Sequence, residues 1–317
     1  MALRADLAER SDQRRLRIPA PALRRVDVRA VVCFVSGPGR FRRLVDSIES
    51  VLASDGDSVQ IMVIDDCSID AREAEIRALF PDVVVVRRRV PTGGPPMTWP
   101  QLRLGVCEAL THHRFDLWVK LDSDSLVVGP RFTEVLAERM AAVPHAGLGG
   151  SVGRRADGAA EDRAYHFTVL MREAGTDPIL ETALERARRH GWAGEVVQGG
   201  GLCLTAEAAR RLAANRWLDW RPRWYSQVSD DLALSIFVAA AGLQLASLGD
   251  PTGVVAVANN FLPLAKETLA DKPWVLAHSL TTGRDGESED ELREFFAAAR
   301  SGWPDRSRAP SAPGQAI

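Results

Sequence analysis

The sequence predicts an α/β fold in which a mostly parallel central sheet is flanked by helices within a single domain. Three observations carry this expectation. Short β-rich apolar runs alternate with segments of helical periodicity over residues 28–121. Hydrophobic residues make up 46 % of the 317-residue chain, enough for a sizeable core and against wholesale disorder. Carboxylates stand where the second and fourth apolar runs end, at Asp65-Asp66 and Asp122-Ser123-Asp124. Length alone does not choose between one large domain and two small ones.

Residues 1–27 are rich in Arg and Ala and read as a mobile basic arm. Residues 28–36 (VRAVVCFVS) form the first predicted strand, closed by Gly37-Pro38-Gly39. Residues 41–53 place Phe41, Leu44, Val45, Ile48, Val51 and Leu52 at helical spacing. A second strand is expected over 59–64, a helix over 71–79 and a third strand over 83–86. A helix over 101–112 and a fourth strand over 115–121 complete the alternation, which implies right-handed crossovers and a parallel sheet covered on both faces. Between them, residues 87–100 (RRRVPTGGPPMTWP) hold too many prolines and glycines for regular structure and read as a working loop.

The second half is less regular. Residues 151–165 read as a polar loop, and helices are expected over 180–190, 206–214 and 230–241, the last stopped by Gly242. Gly199-Gly200-Gly201 precedes a short apolar run, and residues 272–277 read as a late apolar strand. One more helix, over 289–300, precedes a Pro/Ser/Gly tail. The reading is thus a core over 28–282, divided at residue 150, with 283–317 as a C-terminal helix and flexible tail.

Composition narrows the partners. A formal net charge of −2 removes the simplest argument for nucleic acid. No stretch approaches the roughly 18 to 20 apolar residues that span a bilayer, and no apolar signal-peptide core is seen. Cys33, Cys67, Cys107 and Cys203 lie far apart without a Cys-x-x-Cys pair, as expected in a reducing compartment. A cytoplasmic location follows as the default. The Arg and Ala content suggests a GC-rich bacterial genome.

Ligands of open parallel sheets bind outside the carboxyl ends of the strands. Four carboxylates on adjacent strand ends would repel one another unless a cation neutralised them. A hard divalent ion does so and also bridges to phosphate oxygens. The bland reading is that such aspartates cap the turns that follow them.

The order strand, Ser36-Gly37-Pro38-Gly39, helix, Ile64-Asp65-Asp66-Cys67-Ser68, then Lys120-Leu121-Asp122-Ser123-Asp124 resembles the nucleotide-sugar half of GT-A glycosyltransferases. The likeness is greatest to glycosyltransferase family 2, with its DD-x-S and DXD-type motifs, and spans residues 28–150. It implies a Rossmann-like GT-A domain with an acceptor-side subregion, and Ser36, Asp65, Asp66 and Asp122 at the nucleotide. Asp66 would contact base or ribose, and Asp65 would shape its turn. Asp124 would be the main ligand of Mn2+ or Mg2+, with Asp122 supporting ribose or metal. Gly200 and Gly201 resemble the glycine-containing strand under the sugar site. Ser229-Asp230-Asp231-Leu232 resembles the family's ED motif, which makes Asp231 the expected general base with Asp230 as its alternative. His278 matches a late histidine that several GT-A families use as a further metal ligand; a structural role is its plain alternative.

The resemblance implies transfer of a sugar from a nucleotide-diphosphate donor, UDP first among them, to a glycan, lipid-linked sugar, peptide or small natural product, with inversion. Arg87, Arg88 or Arg89 could approach the diphosphate. Trp99 and the tryptophans of 217–224 either face the acceptor or pack in the core. Two alternatives stay open: a sugar-1-phosphate nucleotidyltransferase, faintly suggested by the glycines before Arg40, and a non-catalytic nucleotide-sugar-binding module. A redox Rossmann enzyme is disfavoured, because no Gly-x-Gly-x-x-Gly joins the first strand to its helix.

Overall fold

A computed structural model describes residues 25–37, 39–67, 72–88, 98–161, 163–223 and 226–304. Most of the expected basic arm and of the 87–100 loop, together with Ser68, Arg89, Trp224 and the tail from residue 305, lies outside the described residues.

The chain runs β1 (Val26–Asp27), β2 (Ala30–Ser36), α1 (Phe41–Asp55), β3 (Val59–Asp65), α2 (Arg72–Leu79), β4 (Val84–Arg87), α3 (Trp99–His112), β5 (His113–Arg114) and β6 (Leu117–Leu121). It continues through β7 (Ser125–Val127), α4 (Phe132–Ala141), β8 (Ala146–Gly150), α5 (Ala164–Ala174), α6 (Pro178–Arg189), β9 (Gly201–Thr205), α7 (Ala206–Ala214) and α8 (Asp230–Ala240). The last elements are β10 (Gln244–Ser247), β11 (Val255–Ala256), α9 (Lys266–Ala270), β12 (Leu276–His278) and α10 (Glu289–Arg300).

Seven strands form the central sheet in the order β10-β8-β9-β6-β2-β3-β4. β6, β2, β3 and β4 are mutually parallel, as the alternating pattern requires, while β9 runs antiparallel to both β6 and β8. Along β2 the side chains divide by parity: Val31 and Cys33 enter one core cluster, Val32 and Phe34 the other. That division is what a strand covered on both faces demands, and it explains why β2 reads as an uninterrupted apolar run. A small sheet, β11-β12-β7, lies beside the main one and has its own cluster with Leu126, Val128, Leu292 and Phe296.

Several boundaries differ from expectation for local reasons. α3 begins at Trp99 because Pro100 sits in the first turn, where a missing N–H costs nothing. α6 begins at Pro178, capped by Asp177, whose carboxylate accepts from the Ile179 and Leu180 amides. The expected 151–165 loop gives way at Ala164 to α5, whose buried face is narrow: Val169, Leu170 and Ala174. The 272–277 strand shrinks to Leu276–His278.

Of the two readings open for the tryptophans, core packing holds for Trp99, Trp217 and Trp220. Trp99, Trp217 and Trp220 are buried around Phe237, with ring centroids 5.3, 5.4 and 5.6 Å from it. Their flat faces are therefore not available to a sugar.

All four cysteines are free. Burial pushes the Cys33 and Cys203 thiols up to about 12, which suits their role as small core hydrophobes. No helix among the described residues is long and apolar enough to cross a membrane. Because Phe237 joins three tryptophans, Phe237→Ala is expected to lower the unfolding free energy by about 3–5 kcal/mol, measured by urea titration followed by tryptophan fluorescence.

Candidate active site

β6 is buried along its whole length and delivers Asp122-Ser123-Asp124 to the carboxyl edge of the sheet. The chain turns there at once: the Ser125 amide donates to the Asp122 carbonyl at 3.0 Å, and β7 leaves the main sheet to pair with β12. In that antiparallel pair Ser125 stands opposite His278, so the histidine is brought beside the turn by strand register. His278 Nε2 lies 3.4 Å from Asp124 Oδ1 and 3.9 Å from Asp122 Oδ2. One ligand atom from each of the three residues falls within 4.8 Å of the others.

The donor set fits a divalent cation. Two carboxylates and one imidazole offer oxygen and nitrogen donors to such an ion. His278 Nδ1 is 2.7 Å from the Ala258 carbonyl; with the proton placed there to donate, the Nε2 lone pair points at the carboxylates. Burial works against the charged form of Asp124, but hydrogen bonding and charge from His278 outweigh it and bring the carboxyl down to about 2. Burial likewise opposes the His278 imidazolium, yet Asp124 and Asp122 hold it above its ordinary value.

Gly200 makes room for the ring. Its φ of +97° lies in the left-handed region, and a Cβ built on it would stand 2.4 Å from His278 ring carbons. Its carbonyl accepts from the Asp122 amide at 3.4 Å and from the Ser125 hydroxyl. Gly201 allows equally close approach of the Leu276 side chain, 2.4 Å from a Cβ placed there. The glycine run is thus the floor against which the histidine lies.

The same run reaches the start of α8. The Gly199 amide donates to Asp231 Oδ2 at 3.1 Å, while Asp231 Oδ1 accepts from the Leu232 amide at 2.8 Å and from the Ser229 hydroxyl. Asp230 faces the other way. Its Oδ2 lies 2.8 Å from Lys120 Nζ, which is also 2.9 Å from Asp122 Oδ1. Burial would lower the Lys120 ammonium, but the two carboxylates more than compensate and hold it above its ordinary value. Lys120 is a site residue to which the sequence motif alone attaches no role. Its signal was present: a lysine inside the otherwise apolar run LWVKL must find an anion or distort the strand.

Asp65 and Asp66 lie at the end of β3, separated from β6 by β2, so the two acidic strand ends are not adjacent. They also meet the protein's own cations. Arg87 Nε is 3.6 Å from Asp65 Oδ2 and Arg88 Nη1 is 3.6 Å from Asp66 Oδ1. Asp65 and Asp66 thus need no external ion, and Asp122 too has Lys120 at 2.9 Å; what marks Asp122, Asp124 and His278 as a cation site is the convergence of their ligand atoms. Arg87 and Arg88 are engaged with these carboxylates. Ser36 is fully buried, its hydroxyl accepting from Arg72 Nη1 at 3.3 Å and its carbonyl accepting from the Asp66 amide at 2.9 Å. Cys67 and Ser279 also adopt positive φ, as do Arg131, His145 and Arg216 away from the site.

No protein-family profile and no curated protein matches the chain. Solved structures do. The chain is similar to a mannosyltransferase from Pyrobaculum calidifontis in complex with GDP-Man and Mn2+, at 17 % identity over 77 % of this chain and 62 % of that one, TM-score 0.44. It is similar to the galactosyltransferase LgtC in complex with donor and acceptor sugar analogs, at 14 % identity over 84 % of this chain and 95 % of that one, TM-score 0.47. The 1–349 portion of S. aureus TarS in complex with UDP matches at 13 % identity over 70 % of this chain and 58 % of that one, TM-score 0.43. The chain thus spans less than two thirds of the mannosyltransferase and of TarS, and nearly all of LgtC.

Two expectations follow from the geometry. Gly200→Ala should retain the fold but displace the His278 ring, weakening Mn2+ binding about 10- to 100-fold by calorimetry. Titration gives the second. The Asp124 contribution to stability is present above the ordinary carboxylate range and lost as pH falls towards about 2. The His278 contribution is present below the ordinary imidazole value and lost as pH rises through its raised one. Metal binding needs neutral imidazole, so Mn2+ affinity should climb as pH rises through the His278 value, with proton release in calorimetry across buffers of different ionisation enthalpy.

Proposed function

We propose that the chain is a metal-dependent glycosyltransferase that moves a sugar from a nucleotide-diphosphate donor to an acceptor hydroxyl with inversion. The observation that carries this reading is the convergence of Asp122, Asp124 and His278 on one point, with Asp231 tied to the same glycine run at Gly199. A cation site and a second carboxylate thus share the carboxyl edge of a largely parallel sheet, where such folds bind ligands.

Asp122, Asp124 and His278 would hold Mn2+ or Mg2+. The ion would supply positive charge to the leaving diphosphate. Gly200 and Gly201 give room to the His278 ring and the Leu276 side chain under the cation site, and Asp66 and Asp65, on the neighbouring side of β2, are assigned to the nucleoside. Asp230 is committed to a buried ion pair with Lys120. That leaves Asp231 as the base: it accepts the acceptor hydroxyl proton as the oxygen attacks the anomeric carbon from the face opposite the diphosphate. The backbone amides of Gly199 and Leu232 and the Ser229 hydroxyl orient its carboxylate before the acceptor arrives. Residues 28–150 would serve the donor and 151–282 the acceptor.

The test is nucleotide release from UDP-, GDP- and dTDP-sugars with Mn2+ or Mg2+, comparing wild type with Asp124→Asn and Asp231→Asn. Slow metal-dependent hydrolysis of one donor is expected, falling in both variants, with nucleotide binding kept in Asp231→Asn. Loss of a transition-state charge contact or base is worth about 100-fold or more in rate. No release and no metal-dependent nucleotide binding would sink the proposal. Binding without release would leave a nucleotide-sugar-binding module.

A further inference from the structure

The C-terminal helix α10 carries an arginine that reaches into the turn between the two aspartates. Arg293 is almost fully buried, and its Nη2 donates to the Ser123 carbonyl at 3.2 Å. Its other donors meet anions: Nη1 lies 2.6 Å from Asp46 Oδ2 on α1, and Nε 2.8 Å from Glu289 Oε1 one turn earlier on α10. Arg300 also pairs with Asp46, and Arg43 with Glu289, so an ion network joins α1 to α10 on both sides of Arg293. A guanidinium taken this far out of water is held by those two carboxylates, which leaves its remaining donor fixed in direction.

The place it reaches is a peptide plane with consequences. The Ser123 carbonyl belongs to the rigid amide that leads into Asp124, so fixing that oxygen fixes the orientation of the Asp124 backbone. The other two carbonyls of the turn are held by main-chain amides: Asp122 O by Ser125, and Asp124 O by Leu280 at 3.2 Å. Arg40 Nη1 donates to the Ser123 hydroxyl at 3.2 Å. Among the turn's main-chain groups, the Asp122 amide donates to the Ser125 hydroxyl at 3.2 Å and the Ser123 carbonyl is held by Arg293, which comes from a segment outside the expected catalytic core. Leu292 and Phe296 seat the helix in the same cluster as Leu126 and Val128 of the β7 region.

We infer that Arg293 is a positioning residue for the metal ligands, acting through the Ser123 carbonyl, and that α10 is by this means part of the cation site. The inference rests on the glycosyltransferase reading only in taking Asp122, Asp124 and His278 to hold a divalent ion. Outer-shell hydrogen bonds that orient ligands affect metal affinity about 10- to 100-fold.

The experiment measures Mn2+ binding to the full chain by calorimetry, with and without UDP, beside thermal unfolding. Arg293→Met keeps the apolar stem and removes the donor; Phe296→Leu loosens the same helix without reaching Ser123. Arg293→Met should bind Mn2+ about tenfold more weakly, while Phe296→Leu should lower the unfolding temperature and leave Mn2+ affinity unchanged. Equal Mn2+ affinity in Arg293→Met and wild type would overturn the inference alone. So would a loss in Phe296→Leu as large as that in Arg293→Met. Should Arg293→Met not fold, Arg293→Lys keeps the cation between Asp46 and Glu289 but gives up the planar fork; unchanged Mn2+ binding there overturns the inference too. A wild type that binds no Mn2+ with or without UDP brings down the metal-site reading and this inference with it.

Discussion

An ammonium group buried at the end of β6 lies between two carboxylates that come from different parts of the chain. Lys120 sits 2.9 Å from Asp122 and 2.8 Å from Asp230, and only about 3 % of its side chain meets solvent. Taking such a charge out of water is costly unless partners surround it, and removing either partner leaves the remainder stranded. The start of α8 is thereby tied to the turn after β6. Asp230 also lies in the first turn of α8, where a negative charge complements the helix dipole. Helix α8 and the acidic turn are held in one relation by this group, and Asp231 inherits its position as the next residue of the same helix.

A second constraint is spatial. His278 can lie against β9 only because residue 200 has no side chain and adopts a left-handed backbone. The antiparallel direction of β9 brings Gly201 opposite Leu121, so the glycine run arrives at the carboxyl end of β6 rather than at the far edge of the sheet. One strand reversal in a parallel sheet thus connects the candidate cation ligands to Asp231 through Gly199 and Gly200. Fold and site are linked here by register.

The parallel half of the fold was legible because its strands are buried on both faces and its helices have clear periodicity. The reversed direction of β9 was not, since an apolar run carries no sign of which way its strand runs, and β7 and β11, of three and two residues, leave no period to read. The residues of the candidate site were found as types at strand ends, yet their partners were misjudged. Asp65 and Asp66 looked like an unneutralised pair, because spacing along the chain cannot show that Arg87 and Arg88 arrive beside them at the end of β4. For Trp99, Trp217 and Trp220 the choice between a ligand face and the core stayed open, because loop-like sequence around them concealed their shared contact with Phe237. Arg293, 170 residues from Ser123 in the chain, had no local signal beyond a helix rich in charge.

The central claim is that Asp122, Asp124 and His278 present one divalent ion to a nucleotide diphosphate. Pulsed electron paramagnetic resonance of the Mn2+-loaded protein with UDP tests it directly, since imidazole nitrogen and diphosphate phosphorus each couple to the ion. The account predicts both couplings in the wild type, with the nitrogen signal lost and the phosphorus signal weakened in His278→Gln. A bound Mn2+ showing no nitrogen coupling, or one that keeps it unchanged in His278→Gln, would contradict it.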